Sequence, residues 1–408
     1  MSLAMPPSRM VDELAKQTFC IPMSLGSTSA YLPQDVDVVH YFHSSLCLSP
    51  NFMRTQRVQL FMYALFETAL ARVKAIASEI DSADKSMSDI ASRFRQLMSD
   101  GMEYGRHGQY RQEFYADVCK RAAELPSQTK IFIVPGADDE TPIVVVKDKT
   151  GNWTNLTTAA KALTSYFSKV ATKSSAGAIT GTDLILCFDE AQLFTRCDSI
   201  DAEVTLLPDV QRALRLIRAL PIFALFLSTV ITVENVSPPP QISSSERLLR
   251  PHDVPFRPIV WTPIDVLAAR ITNDKVWTLT EVASTHHIAH LGRPLFAAMY
   301  DAALAEGDHE VNSWIVNFAL QKLLKALPPE TLSLQQALAC IAVRIPLEFD
   351  PAPLSPPVGN DADVERNLVA DHMRLLLYAD RGFSRIVTTA ASEPLLAEAA
   401  GSKMISSR

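Results

Sequence analysis

The chain has 408 residues, 48% of them hydrophobic and 20% charged, enough for two or three domains with cores of their own. Its formal charge of -7 excludes nonspecific nucleic-acid binding as a main activity, because neutralising phosphates needs a surplus of Lys and Arg. With only 13 glycines, under half the usual ~7% share, the composition predicts an α-rich α/β protein.

Six cysteines, Cys20, Cys47, Cys119, Cys187, Cys197 and Cys340, form no C-x-x-C pair. They read as reduced structural thiols of a cytoplasmic or nuclear protein. The opening MSLAMPPSRMVDELAK has neither an apolar h-region nor a cleavage pattern, so no secretory leader is expected. The longest apolar run, ALPIFALFLSTVITV over 219–233, is shorter than the ~20 residues of a membrane helix and reads as a buried strand.

In chain order, SRMVDELAK (8–16) has Met10, Val11 and Leu14 at helical spacing, and TFCIPMSLG (18–26) follows as a strand. Helical patterns over 52–80, 87–98 and 109–125 form an insertion. Two β-branched runs, 131–134 and 143–146, flank PGADDETP and suggest a hairpin or two edge strands. A helix over 156–170, the strand LILCFD ending at Asp189, a helix over 208–220 and a strand over 222–232 make a β-α-β alternation. Their near-continuous apolar strands indicate a parallel sheet.

A Pro/Ser-rich linker spans 237–258, and a Pro-rich one spans 350–362. Everything periodic beyond the first linker reads as helix: 279–290, 294–305, 311–327, 333–343 and 363–378. The expected layout is an α/β core over 1–236 carrying the insertion at 52–125, a helical lid or sensor region over 259–349 and a C-terminal helical segment over 363–408.

The stretch LILCFDEAQLF joins an apolar strand to a carboxylate pair. In P-loop ATPases such a strand delivers an Asp to the sheet's carboxyl edge to hold magnesium, and the next Glu polarises the attacking water. Asp189 and Glu190 fit those roles. The next strand leads to Ser228 and Thr229, candidate sensors of the γ-phosphate. The phosphate loop itself, G-x-x-x-x-G-K-[ST], is absent, since no glycine precedes a lysine. Ser8 and its helix stand where the loop's hydroxyl and helix would be, with Pro7 at the lysine position and Pro6 at the glycine position.

LGRPLFAAMYDAAL (291–304) resembles the GxP motif of the signal-transduction ATPases with numerous domains, a branch of the AAA+ relatives, with Gly292 and Pro294 matching and Arg293 a candidate phosphate contact. The succession SRMVDELAK, FCIPMSLG, DVDVVHYF, LILCFDEAQLF and SEPLLAEAA, spread over about 8–400, resembles a large uncharacterised family of P-loop proteins of basidiomycete fungi, some related to Crinkler-type NTPases. The resemblance implies an incomplete parallel P-loop NTPase-type sheet with a helical insertion, followed by an α-helical C-terminal region. It implies ATP and Mg2+ as ligands and a nucleotide switch whose hydrolysis is lost with the phosphate loop.

The missing loop fits either a truncated chain or a decayed paralogue. In both cases the sheet lacks its first strand, and 131–134 or 143–146 is expected to fill the gap. The alternative function is a helical protein–protein interaction scaffold without a nucleotide role. Both readings imply protein partners or self-association, no membrane and no nucleic acid.

Three other clusters have plainer readings. THHIAH sets His286 and His290 one turn apart, but sequence supplies no third metal ligand, and a helix-terminal histidine cluster is expected. GRHGQYRQEFY is expected to present exposed arginines beside a partly buried aromatic face, with Glu113 and Asp117 solvated. GAITGTD reads as a flexible connection.

Overall fold

The computed structural model describes residues 7–26, 33–46, 51–80, 86–132, 142–148, 150–171, 182–195, 205–228, 259–260, 263–269, 271–272, 276–329, 331–349, 361–379, 386–390 and 392–406. Two compact units emerge, 8–228 and 229–408, the latter grouped with residues 1–7. The linker 237–258, residues 350–360 of the second expected linker, Thr229 and the segment 172–181 lie outside the described residues, as do Cys47 and Cys197, whereas 361 and 362 already belong to a helix. No described helix is long and apolar enough to cross a membrane.

In the first unit, α1 (Pro7–Leu14) leads into β1 (Phe19–Ser24), followed by α2 (Val36–Leu46), α3 (Asn51–Glu79), α4 (Met87–Ser99) and α5 (Gln109–Glu124). Then come β2 (Thr129–Phe132), β3 (Ile143–Lys147), β4 (Trp153–Asn155), α6 (Leu156–Ala171), β5 (Leu184–Asp189), α7 (Leu207–Leu216) and β6 (Ile222–Phe226). The strand order β1-β5-β6 is wholly parallel, with Cys20 opposite Ile185 and Leu186 opposite Ala224. Successive residues of a strand face opposite sides, and both sides are covered. Phe19, Ile21, Met23, Leu184, Leu186 and Phe188 join the main core, while Cys20, Ile185 and Cys187 pack against Val11 and Ala15 of the α1 segment.

The main core is built around α3, where every residue from Val58 to Phe66 is buried. A helix apolar all round belongs inside a fold. Phe19 stacks at a tilt on Phe94 and Phe167, 4.6 and 5.0 Å between centroids. Each fully buried ring of this kind contributes about 1.5–3 kcal/mol. The polar exception, Gln59, is satisfied by β3: its amide donates to Pro142 O at 2.6 Å and accepts from Val144 N at 3.0 Å.

That contact explains a correction. The runs at 131 and 143 do not complete the parallel sheet; β2, β3 and β4 make an antiparallel sheet of their own, Ile131 opposite Val144. Side chains cap the outer edge of β1 instead. Pro22 has no N–H, which suits an edge strand. Its carbonyl accepts from Arg111 Nη2 at 2.9 Å and Tyr115 Oη at 2.5 Å. Asp35 then imitates a partner strand at Ser24, accepting its N–H through Oδ2 at 2.7 Å and donating its own N–H to Ser24 O at 2.9 Å. Arg111 is thus buried, against the expectation of an exposed arginine, whereas Arg106 is exposed as expected.

The second unit is helical with a small hairpin. It contains α8 (Leu279–Val282), α9 (Thr285–His290), α10 (Pro294–Ala305), α11 (Val311–Leu324), α12 (Leu334–Ala342), α13 (Asp361–Asp371), β7 (Leu375–Ala379), β8 (Ile386–Thr389) and α14 (Pro394–Ser406). The single helix expected over 279–290 divides because the Ser284 side chain caps the His287 N–H and starts a new helix. The helix expected over 363–378 stops at Asp371: Met373 takes a left-handed φ of 62° and the Arg374 N–H returns to Leu368 O. The apolar run that follows pairs as β7 with β8, so this region is not purely helical. Phe296, Ile315, Leu323, Leu395, Leu396 and Ala399 form the centre of its core.

Candidate functional site at the carboxyl edge of the parallel sheet

Asp189 is the last residue of β5, in register with Ser24 of β1, and both strands end at the same edge. Its carbonyl accepts the Leu25 N–H at 2.9 Å, which holds the exits of β1 and β5 together. On the other flank, Leu227 N donates to Phe188 O and Ala191 N donates to Leu227 O, at 2.9 and 2.8 Å. Ser228 therefore leaves β6 beside Asp189, two residues past the last paired residue Phe226.

Glu190 turns the chain out of the strand with a φ of 56°, a left-handed conformation that costs a non-glycine residue on the order of 1 kcal/mol. Its side chain lies over the exit of β1: a Cβ on Gly26 would sit 2.9 Å from Glu190 Cγ, so any larger residue there would push the Glu190 side chain aside. The Gln34 side-chain amide donates to Gly26 O and fixes this turn. The half-buried Asp189 thus sits between Glu190 on the β1 side and Ser228 on the β6 side.

Ser8 falls in the first turn of α1, which covers the Cys20–Cys187 face of the sheet; its side chain lies outside the described part of the structure. Arg95 anchors α1 through Asp12, with Nε and Nη2 at 2.8 and 2.5 Å from the two carboxylate oxygens. The fold therefore brings Asp189, Glu190 and Ser228 to one edge. Thr229 lies outside the described residues.

A cavity of about 300 Å³ opens next to β1, lined by Gln34, Asp35, Arg106, His107, Arg111 and Tyr115 among others. Asp35 accepts Arg111 Nε at 2.8 Å and Nη2 at 2.7 Å. Burial works against the Arg111 charge, but the Asp35 carboxylate and its hydrogen bonds outweigh it and hold the guanidinium above its usual range. His107 Nε2 lies 3.4 Å from Asp35 Oδ1. Burial, aided by the Arg111 charge and opposed by Asp35, pushes its pKa down to about 4, so the ring is neutral at pH 7. Burial also raises the thiols: Cys20 to about 12, and Cys187 well above its ordinary value. Neither acts as a nucleophile in that state.

Gly292, Arg293 and Pro294 belong to the other unit. Gly292 has a φ of 92°, and a Cβ there would lie 2.4 Å from Glu393 Cγ. Its N–H donates to Asp265 Oδ1 at 2.6 Å, and Pro294 opens α10 at a position where no N–H is needed. Arg293 is 1% exposed and paired with Glu393, Nε to Oε1 3.2 Å, while Nη2 donates to Met373 O. This arginine is turned into the protein and presents no face to a phosphate, which corrects its expected role.

Part of this site has a sequence signal. Asp35 stands immediately before the apolar spacing Val38, Tyr41, Phe42, the pattern of a helix N-terminus. Arg111 and His107 carry no local signal, because their partner lies some 70 residues earlier in the chain, 76 in the case of Arg111. Comparison of the chain with family models, curated proteins and solved structures finds no match.

Proposed function

We propose that residues 8–228 carry the metal-and-water half of a P-loop-type nucleotide site, and that the protein works as an ATP-responsive switch with hydrolysis lost. The observation that supports this reading most is the convergence of Asp189, Glu190 and Ser228 at the carboxyl edge of three parallel strands. Ligands of open α/β sheets bind at that edge. Asp189 would hold Mg2+, Glu190 would polarise a water, and Ser228 or Thr229 would report the γ-phosphate, with Ser8 near the metal. The half-exposed outer face of β6, where Phe223 is 47% exposed and no described strand pairs, accords with a sheet that continues on that side. Without a phosphate loop, binding is weaker than in a complete site.

Calorimetry of Mg·ATP binding to the full chain tests this, with Asp189→Asn alongside. Micromolar binding that the substitution abolishes supports the switch. A folded sample that binds nothing at millimolar ATP overturns it and leaves the helical interaction scaffold, whose partners would then be sought with the intact chain.

A further inference from the structure

The sequence offers His286 and His290 on one helical turn and no third ligand, and the fold supplies one. After α9 the chain turns through Gly292 and packs α10 beside it, which brings Asp301 to the imidazole of His290. Its two carboxylate oxygens lie 3.1 and 3.3 Å from His290 Nε2. One ligand atom from each of His286, His290 and Asp301 falls within 4.8 Å of the others.

The proton inventory makes this more than proximity. His290 Nδ1 lies 2.7 Å from the carbonyl oxygen of His286. A carbonyl only accepts, so Nδ1 carries a proton, and in the neutral ring Nε2 is a bare lone pair. That lone pair faces a carboxylate, which has only lone pairs to offer. A positive charge placed between them would satisfy both, and a metal ion is the one that also engages His286, whose ring, 4.4 Å from that of His290 and tilted by 32°, adds a third possible ligand atom to the cluster.

We propose that His286, His290 and Asp301 bind one divalent transition-metal ion of the zinc class. Two imidazoles and a carboxylate suit Zn2+, Ni2+ or Co2+ better than Mg2+ or Ca2+. A tetrahedral ion with bonds of ~2.0–2.1 Å sets its ligand atoms ~3.3 Å apart, close to the His290–Asp301 spacing. The backbone carbonyl that orients His290 through Nδ1 is the outer contact metal-bound imidazoles usually have. Tyr300 supports both rings edge-on at 5.6 and 6.0 Å, and its own hydroxyl is fixed on Asn312 Oδ1 at 2.7 Å. With His286 and Asp301 exposed, a fourth position is open to water. The ion fastens α9 to α10 across the Gly292 turn.

The test uses the full chain, stripped with chelator and dialysed against buffered micromolar free Zn2+, followed by elemental analysis. Wild type is expected to hold one more equivalent than His286→Ala/His290→Ala. Asp301→Asn is expected to weaken binding by at least the ~10–100-fold seen for loss of a mere outer-shell partner. Co2+ loaded in place of zinc should give visible absorption bands of a nitrogen–oxygen site that His290→Ala removes. Equal zinc content in wild type and variants, all folded by circular dichroism, overturns the proposal and leaves a His290–Asp301 ion pair.

Discussion

Arg111 with Asp35 in the unit 8–228, and Arg293 with Glu393 in the unit 229–408, are both buried ion pairs, yet their surroundings differ. Asp35 accepts two hydrogen bonds from Arg111 and one from Ser24 N, and Arg111 also serves Pro22 O. Arg293 Nε is near Glu393 Oε1 but not aligned with it, and Arg293 Nη1 has no hydrogen-bond partner among the described residues. The charges respond accordingly. Burial lowers the Arg293 pKa and raises that of Glu393, each only partly opposed by its partner, whereas Arg111 ends above its usual value. The first pair satisfies the backbone at the outer edge of β1; the second ties a turn to the start of α14 with incomplete hydrogen bonding.

The largest effect expected is from removing one carboxylate. Asp35→Ala leaves the Arg111 charge buried alone and the Ser24 N–H unpaired, and should cost about 3–5 kcal/mol, read as lost hydrogen-exchange protection in β1 peptides. Double apolar replacement then separates the two pairs. Arg293→Met with Glu393→Leu should be near neutral, because the removal of two incompletely hydrogen-bonded buried charges is offset by the lost side-chain partners of the Arg293 N–H and the Met373 carbonyl. Asp35→Leu with Arg111→Met should still cost about 1–3 kcal/mol, because the buried Ser24 N–H is left without its acceptor. A neutral result for the Asp35/Arg111 double variant would break the contrast.

Acid separates the units further. His107 has a folded pKa of about 4 against 6.5 when unfolded, so its contribution is complete above pH 6.5 and is lost as pH falls toward 4. Between pH 7.5 and 5 this amounts to about 2 kcal/mol of stability in the unit 8–228, and His107→Gln should flatten the slope. Glu393 has the opposite sign: with its pKa raised by burial, its contribution is present at low pH and lost as pH rises through that value. Exchange protection of peptides around Glu393 in wild type and Glu393→Gln, compared across the same range, checks that direction.

Much of the fold was legible because it rests on local periodicity. The unbroken apolar run Leu184–Phe188 announced a doubly covered parallel strand, and it is buried on both faces. Asp189 and Glu190 were found because a strand end is a local pattern. The elements that depart from the pattern are those where a single residue overrides the period: the Ser284 side chain cutting a helix, the left-handed backbone of Met373 stopping one, the Gln59 amide drawing β3 toward α3. The third metal-site residue was invisible for a related reason. Asp301 sits eleven residues beyond His290, a separation that has meaning only once the Gly292 turn folds α10 back.

The smallest effect concerns Glu190 and again divides the units. Glu190 and Asp265 both hold left-handed φ values, 56° and 59°. Asp265 repays that strain locally, since its carboxylate accepts the Gly292 N–H at 2.6 Å; Asp265→Gly should therefore destabilise by about 1 kcal/mol. Glu190→Gly relieves the backbone but frees the unfolded chain, for a net gain of under about 1 kcal/mol if the side chain does no structural work. Thermal unfolding of the two variants reads the difference. A gain at 190 with a loss at 265 means that the carboxylate beside Asp189 is kept against the interest of stability, as expected of a group that handles a ligand. A loss at both positions would make the contact of Glu190 with Gly26 part of the packing and weaken the nucleotide reading at the residue on which it most depends.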